Sequence, residues 1–116
     1  MILVYVTTKD KAEAREIGRA LVRARLAGCV NIIDGMESIY HWQGKSDKKG
    51  KVETSQEAIL LIKTAKKLFP AVSALVRDRH SYQTPCIMSV PIKSIDPAYK
   101  VWLKKNLKPV KTEKKK

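Results

Sequence analysis

The feature that most constrains this chain of 116 residues is a pair of strand-like runs joined by a basic turn, SIYHWQGKSDKKGKVETSQEAILLIKT, from Ser38 to Thr64. Each run is about twice as long as the five or six residues of a typical strand. A hairpin of that length extends beyond a small domain, so its outer backbone amides and carbonyls would lack partners. We therefore expect the arms to pair with other copies of the chain, and the aromatic residues Tyr40 and Trp42 suit such an interface.

Local signals place the other elements of the N-terminal half around this hairpin. The apolar run at 2–7 predicts a first strand. Asp10, with Glu13 three residues later, predicts a capped helix that Gly28 stops. Gly35 predicts a bulge or bend in the strand that follows. The continuous apolar run at 58–62 predicts a strand that is covered on both faces.

The C-terminal half adds a helix, an edge strand and a further helix. Pro70 is tolerated only in a first helical turn, so the second helix begins near Leu68. Pro91 cannot donate a ladder hydrogen bond, which predicts an edge strand. Asp96 before Pro97 predicts the cap of a last helix. The resulting order is the ferredoxin-like βαββαβ pattern of an α+β protein, with an extra C-terminal helix.

Length and composition indicate one cytoplasmic domain. We place the domain at residues 1–107 and expect the basic tail at 108–116 to be disordered. No apolar run approaches the ~18 residues of a membrane-spanning helix. Two cysteines cannot build a disulfide framework, which favours free thiols in a reducing cytoplasm.

The formal net charge of +13 raises the question of a nucleic-acid partner. Part of the charge lies in the tail, part at the hairpin tip, and part at Arg15, Arg19 and Arg23, which stand at helical spacing. No single face collects this charge together with the aromatic side chains of a nucleic-acid platform. We therefore favour a soluble, lysine- and arginine-rich surface over a nucleic-acid-binding one.

Five short stretches, AGCVNII, SIYHWQGK, LLIKT, HSYQTP and YKVWL, occur in an order and spacing that resembles the CutA family of divalent-cation tolerance proteins. The resemblance runs from Ile2 to Leu107. It implies a cytoplasmic homotrimer whose long hairpins join the sheets of neighbouring subunits. It also implies binding of divalent ions, copper above all, and a role in the response to metal ions, with an unidentified regulatory protein as a conceivable partner.

The family's trimer is similar to that of the PII signalling proteins, which leaves a small anionic ligand in the cleft between subunits as an alternative. Fold likeness does not fix function, so both remain open. The chain has no Gly-rich phosphate loop, no nucleophile elbow and no HExxH, and we expect no enzymatic activity and no organic cofactor.

The candidate metal ligands are His80, Cys29 and Cys86. His80 ends the second helix, where an imidazolium would also favour the helix dipole, and Cys29 would otherwise be a small buried residue. The resemblance places an acidic residue where Cys86 stands and, in some members, a second histidine where Arg79 stands. That departure favours a soft ion over a hard one. One segment offers too few ligands for a tight site, so distant segments or subunits must combine.

The resemblance also implies a pocket between subunits formed by Trp42, Lys63 and Tyr82. Lys63 would attract an anion there, although a lysine at a strand end also extends into solvent. The acidic residues Glu53, Glu57 and Asp34 would bind hard cations if the fold brought them together, but they are expected to be solvated.

Overall fold

The computed structural model describes residues 1–42 and 50–109, and its elements follow the predicted order. The strands are β1 (Ile2–Thr8), β2 (Cys29–Trp42), β3 (Lys51–Thr64) and β4 (Ile87–Pro91), and the helices are α1 (Lys11–Arg23), α2 (Phe69–Arg79) and α3 (Pro97–Lys105). The four strands form one antiparallel sheet in the order β2-β3-β1-β4. The predicted ferredoxin-like α+β arrangement with an extra helix is confirmed, and β4 is an edge strand.

Two sequence predictions fall largely on residues that the structure does not describe. The hairpin tip lies outside the described residues except for Gly50 and Lys51, and so does the tail from residue 110 onward. Lys108 is described, and its backbone N–H donates to the carbonyl of Arg25 at 2.9 Å. The disordered tail therefore stays a prediction for residues 110–116. In the described part of the chain, no helix is long and apolar enough to cross a bilayer.

The hairpin is as long as predicted. β2 and β3 have 14 residues each, whereas β1 has seven. β1 accompanies β3 only from the Ile2–Thr64 pair to the Thr8–Ala58 pair. Residues 51–57 of β3 continue past the end of β1 and pair only with β2. The longest axis of the molecule, 53 Å, is far greater than the other two, which measure 33 and 26 Å.

The helices cover one face of the sheet. The buried strand residues alternate along β1 and β3, with Val4 and Val6 opposite Ile62 and Leu60. They form the core with apolar residues of the helices, namely Ala14, Ile17, Leu21, Leu68, Val72, Val76 and Leu103.

Within a single chain, residues 58–62 are covered on one face only, and cover of the second face stays a prediction. Ile59 and Leu61 are only half-buried, because their side chains point to the face opposite the core. On that face Ile33, Met88 and Val90 are 47%, 53% and 54% exposed. The chain thus presents an apolar sheet face that its own helices leave open.

The end of α1 also differs from the prediction. The helix stops at Arg23, and the reversal is made by Arg25, which adopts φ +58 without being a glycine. Gly28 lies beyond that turn and serves packing instead. A Cβ at this position would stand 2.4 Å from Cδ1 of Leu103, so the glycine lets α3 lie against the start of β2.

Gly35 produces the predicted bulge in β2. The register between β2 and β3 shifts between Ile33 and Met36, and Gly35 has φ +76. An extra residue of this kind bends a strand and increases its twist. The bulge therefore marks the point where the ribbon leaves the body of the sheet.

Candidate functional site

The site forms where β1 ends and the hairpin continues alone. Glu57, the first residue of β3 past the β1 pairing, is 9% exposed. Its Oε1 accepts from the hydroxyl of Ser38 on β2, and its Oε2 accepts from the hydroxyl of Tyr82, both at 2.5 Å. One carboxylate thus joins both hairpin arms to the loop that follows α2.

Burial and the nearby Glu57 carboxylate both raise the pKa values of Tyr82 and Cys86. Burial raises the pKa of the Tyr82 phenol well above its usual range, and the hydrogen bond to Glu57 raises it further. Burial likewise raises the pKa of the Cys86 thiol, with the negative charge of Glu57 adding to the effect. Both groups are therefore protonated at neutral pH, and a metal ion binding to Cys86 would have to displace its proton.

His80 is held by both of its ring nitrogens. Its Nε2 lies 2.8 Å from the carbonyl of Thr7, and its Nδ1 accepts from the backbone N–H of Tyr82 at 3.0 Å. With Nδ1 accepting, the hydrogen bond to the Thr7 carbonyl is donated by Nε2. The side chain has no exposed surface. In this arrangement neither nitrogen presents a lone pair to a metal ion.

Glu13 links α1 to the same loop. Its backbone N–H is capped by Asp10 at 2.8 Å, as predicted, while its Oε1 accepts from the N–H of Lys9 at 2.9 Å. Its Oε2 accepts from the N–H of Ser81 at 2.7 Å. Burial alone would raise the pKa of this carboxyl, but the hydrogen bonds from Lys9 and Ser81 hold it below its ordinary value of 4.5.

Cys29 and Lys63 form a second, separate group. They are cross-strand partners on β2 and β3, and Nζ of Lys63 lies 3.9 Å from Sγ of Cys29. The same Nζ stands 5.5 Å from the ring centroid of Tyr99 on α3. Both cysteines of the chain are free thiols, yet Cys29 has a cationic neighbour whereas Cys86 has an anionic one.

The three candidate ligands do not meet within one chain. His80 binds the carbonyl of Thr7, which pairs with Ile59 of β3, whereas Cys29 pairs with Lys63. These two positions are four residues apart along β3, or about 13 Å. Cys86 lies on the His80 side, close enough to Glu57 to sense its charge. Within residues 1–42 and 50–109, no three His, Cys, Asp or Glu side chains are arranged to hold a metal ion.

The three residues of the expected pocket are likewise apart in a single chain. Trp42 is paired with Lys51, twelve residues from Lys63 along β3, or about 40 Å. Tyr82 binds Glu57, which lies between Lys51 and Lys63 on β3. A pocket formed by Trp42, Lys63 and Tyr82 therefore requires more than one copy of the chain.

The prediction that Glu57 is solvated is wrong. Its hydrogen-bond partners Ser38 and Tyr82 are 19 and 25 residues away in the sequence, so no local sequence pattern predicts these contacts. Asp34 is exposed, as expected, and Glu53 is half-buried. Glu53 contacts Lys51 at 3.7 Å, and exposed Asp34 accepts from the N–H of Gly35.

Replacing Tyr82 by phenylalanine tests the Glu57 junction. The substitution leaves a buried carboxylate oxygen without its donor, so we expect the free energy of unfolding to fall by about 1–3 kcal/mol. Urea denaturation at pH 7 and fixed protomer concentration measures it. Tyr5→Phe, which removes a hydroxyl from the open sheet face, is the matched control. Equal losses in both variants would contradict a specific role for the Tyr82 hydroxyl.

Replacing Glu13 by glutamine tests its depressed pKa. A folded pKa below the unfolded one contributes stability that is present above pH 4.5 and is lost as the pH falls through the folded value. We expect Glu13→Gln to cost about 1–3 kcal/mol at pH 7 and progressively less on acidification. Unfolding free energies between pH 7 and 3 measure this. The exposed Glu16→Gln control should parallel the wild type, and a Glu13→Gln deficit independent of pH would refute the assignment.

Comparison with known proteins agrees with this architecture. The family model described as "CutA1 divalent ion tolerance protein" matches residues 2–106. The chain is 40% identical to the divalent-cation tolerance protein CutA of Thermus thermophilus over 90% of its length and 95% of the relative. It is 38% identical to the chloroplastic CutA 1 of Oryza sativa over 89% of its length, but that match spans only 55% of the rice protein.

Solved structures show the same fold. The structure of the Thermus thermophilus protein superposes with a TM-score of 0.84 at 39% identity, covering 93% of this chain and all of that one. The Oryza sativa structure gives 0.86 at 36% identity and covers 94% of each chain. With matches of this extent in both sequence and structure, the chain belongs to the CutA1 family of divalent ion tolerance proteins.

Proposed function

We propose that the protein is a cytoplasmic homotrimer that binds a divalent metal ion, copper or a similar ion, and contributes to tolerance of such ions. Family membership and the names of the relatives support the tolerance role. The proposal includes no catalytic step and no organic cofactor.

The observation that carries the assembly is the open apolar surface. Ile39 and Val52 on the hairpin are each 68% exposed, and Trp42 is 58% exposed. By the alternation of side chains along paired strands, Trp42 lies on the side of the ribbon that continues the sheet face with Met88 and Val90, whereas Ile39 and Val52 lie on the opposite side. Exposed apolar area of this kind marks interaction sites, and main-chain groups beside residues 51–57 of β3 are available to a neighbouring strand. Identical copies can cover both features in a closed ring.

The metal site must be completed across copies, because one chain supplies too few available ligands among its described residues. Of the predicted ligands, His80 has both nitrogens engaged. The ammonium of Lys63 beside Cys29 repels a divalent cation, whereas the carboxylate of Glu57 near Cys86 attracts one. Electrostatics therefore favours Cys86 as the thiol that contacts the ion, with a pH-dependent affinity because its proton must leave.

A second candidate is a small anionic ligand in the cleft between subunits. The half-buried ammonium of Lys63 has no carboxylate within ion-pair distance among the described residues. A bound anion would supply the missing negative charge. This alternative uses the Cys29 end of the sheet, so it can be separated from the metal proposal by mutation.

The assembly is tested by the mass in solution. We expect sedimentation equilibrium at micromolar concentration to give three times the chain mass of 13.1 kDa. Ile39→Glu places a charge in the proposed interface without touching the monomer core and should shift the distribution towards monomer. Ala74→Glu adds the same charge at an exposed position of α2 and should leave the trimer intact. A monomeric wild type would overturn the proposal.

The metal proposal is tested by calorimetric titration with Cu²⁺ and Zn²⁺. We expect Cys86→Ser to weaken binding about tenfold or more, Cys29→Ser to change it little, and the wild-type affinity to rise with pH. Equal affinities in wild type and Cys86→Ser would exclude Cys86. If metals give no heat and a carboxylate or phosphate raises the melting temperature in wild type but not in Lys63→Ala, the anion alternative is the correct one.

A further inference from the structure

The outer face of α1 carries a row of three arginines that neither the fold nor the proposed function uses. Arg15, Arg19 and Arg23 are all exposed. Their four-residue spacing places them on one side of the helix, about 6 Å apart, and the row is about 12 Å long. We refer to these three residues as the arginine ridge.

The ridge separates two shallow grooves. On the β2 side, a groove of about 440 Å³ has an apolar floor that includes Val30 and Ile32. On the α2 side, a groove of about 360 Å³ is lined by the ridge together with Arg79 and Glu16. Four guanidinium groups therefore border one continuous surface of the molecule.

The ridge is uncompensated. Among the described residues, Glu16 is the only acidic one lining either groove, and it lies 3.7 Å from Arg79. Within residues 1–42 and 50–109, no carboxylate lies within ion-pair distance of the three ridge arginines. Like charges four residues apart on a helix destabilise it, so α1 carries a repulsion that a bound anion would relieve.

We propose that the arginine ridge is a docking surface for the phosphate backbone of a nucleic acid, bound without regard to sequence. A guanidinium is a planar fork that matches a phosphate with two hydrogen bonds. A regular row suits a regularly charged strand better than the irregular acidic side chains of a protein. No aromatic residue in the described part of the chain lines either groove, so we expect contacts to the phosphate backbone rather than stacking on bases.

The position of these arginines on one side of the molecule differs from the sequence-based expectation of a charge without a binding face. In the sequence the net charge of +13 is spread over the chain, and no face was expected to combine it with aromatic residues. The structure collects four arginines on one side, and contacts to phosphates need no aromatic partner. The proposal depends neither on the metal site nor on the trimer, since the ridge and both grooves belong to a single chain.

Fluorescence anisotropy with a labelled duplex DNA of about 20 base pairs tests the proposal at several salt concentrations between roughly 50 and 200 mM. We expect the triple variant R15Q/R19Q/R23Q to lose about tenfold or more in affinity and the slope of log K against log salt to become shallower by roughly 0.9 for each arginine. R15K/R19K/R23K should keep most of the slope, because charge is retained.

The tail supplies a matched control, K114Q/K115Q/K116Q, which removes the same number of charges elsewhere in the chain. A smaller effect of this variant supports the ridge, while an equal or larger effect shows that only net charge matters and overturns the proposal. Absence of wild-type DNA binding overturns it too. If poly-glutamate competes with the DNA at equal or higher affinity, and the ridge variant abolishes that binding, the surface belongs to an acidic protein instead.

Thermal melting tests whether the glutamine variant is folded. Because the three side chains are exposed and repel one another, the glutamine variant should melt at the wild-type temperature or above it. A variant that binds DNA poorly while melting normally locates the loss at the ridge itself.

Discussion

The structure depends on the mismatch between two paired strands: β3 is twice as long as β1, its neighbour in the sheet. From Ala58 to Thr64 the strand has a neighbour on both sides, but along residues 51–57 one row of backbone hydrogen-bonding groups has no strand beside it among the described residues. A backbone group buried without a partner costs about 1–3 kcal/mol, roughly twice what an ordinary hydrogen bond contributes. The ribbon must therefore stay in water or be completed by another molecule, and its exposed Ile39, Trp42 and Val52 favour completion.

A cluster of polar residues is placed at the point where the mismatch begins. Glu57 accepts from one hydroxyl on β2 and one on the loop after α2, so the ribbon is joined to the helical layer by a single carboxylate. His80 and Glu13 hold the backbone of that loop to β1 and α1. His80, a candidate ligand from the family resemblance, has both ring nitrogens within hydrogen-bond distance of main-chain groups.

Sequence reasoning succeeded where the determining interactions are local or periodic. The cap at Asp10, the bulge at Gly35 and the cap at Asp96 follow from neighbouring residues, and all three are present. It failed where the decisive contact is distant. Gly28 was expected to stop α1, but the residue that requires a glycine there is Leu103, 75 positions later. A lone glutamate in a polar stretch has the pattern of a solvated residue, and only the folded topology brings Tyr82 to Glu57.

The bulge at Gly35 has a consequence for uniformity among copies. A strand pair that slips by one residue turns every side chain over to the opposite face. The extra residue between Ile33 and Met36 favours one pairing register of β2 with β3 over its neighbours. Tyr40 and Trp42 therefore lie on the same face of the ribbon in every copy of the chain. Ring closure by rotation symmetry demands that each protomer offer an identical surface. A single glycine in a left-handed conformation thus fixes which ribbon residues face the partner copies in the proposed ring.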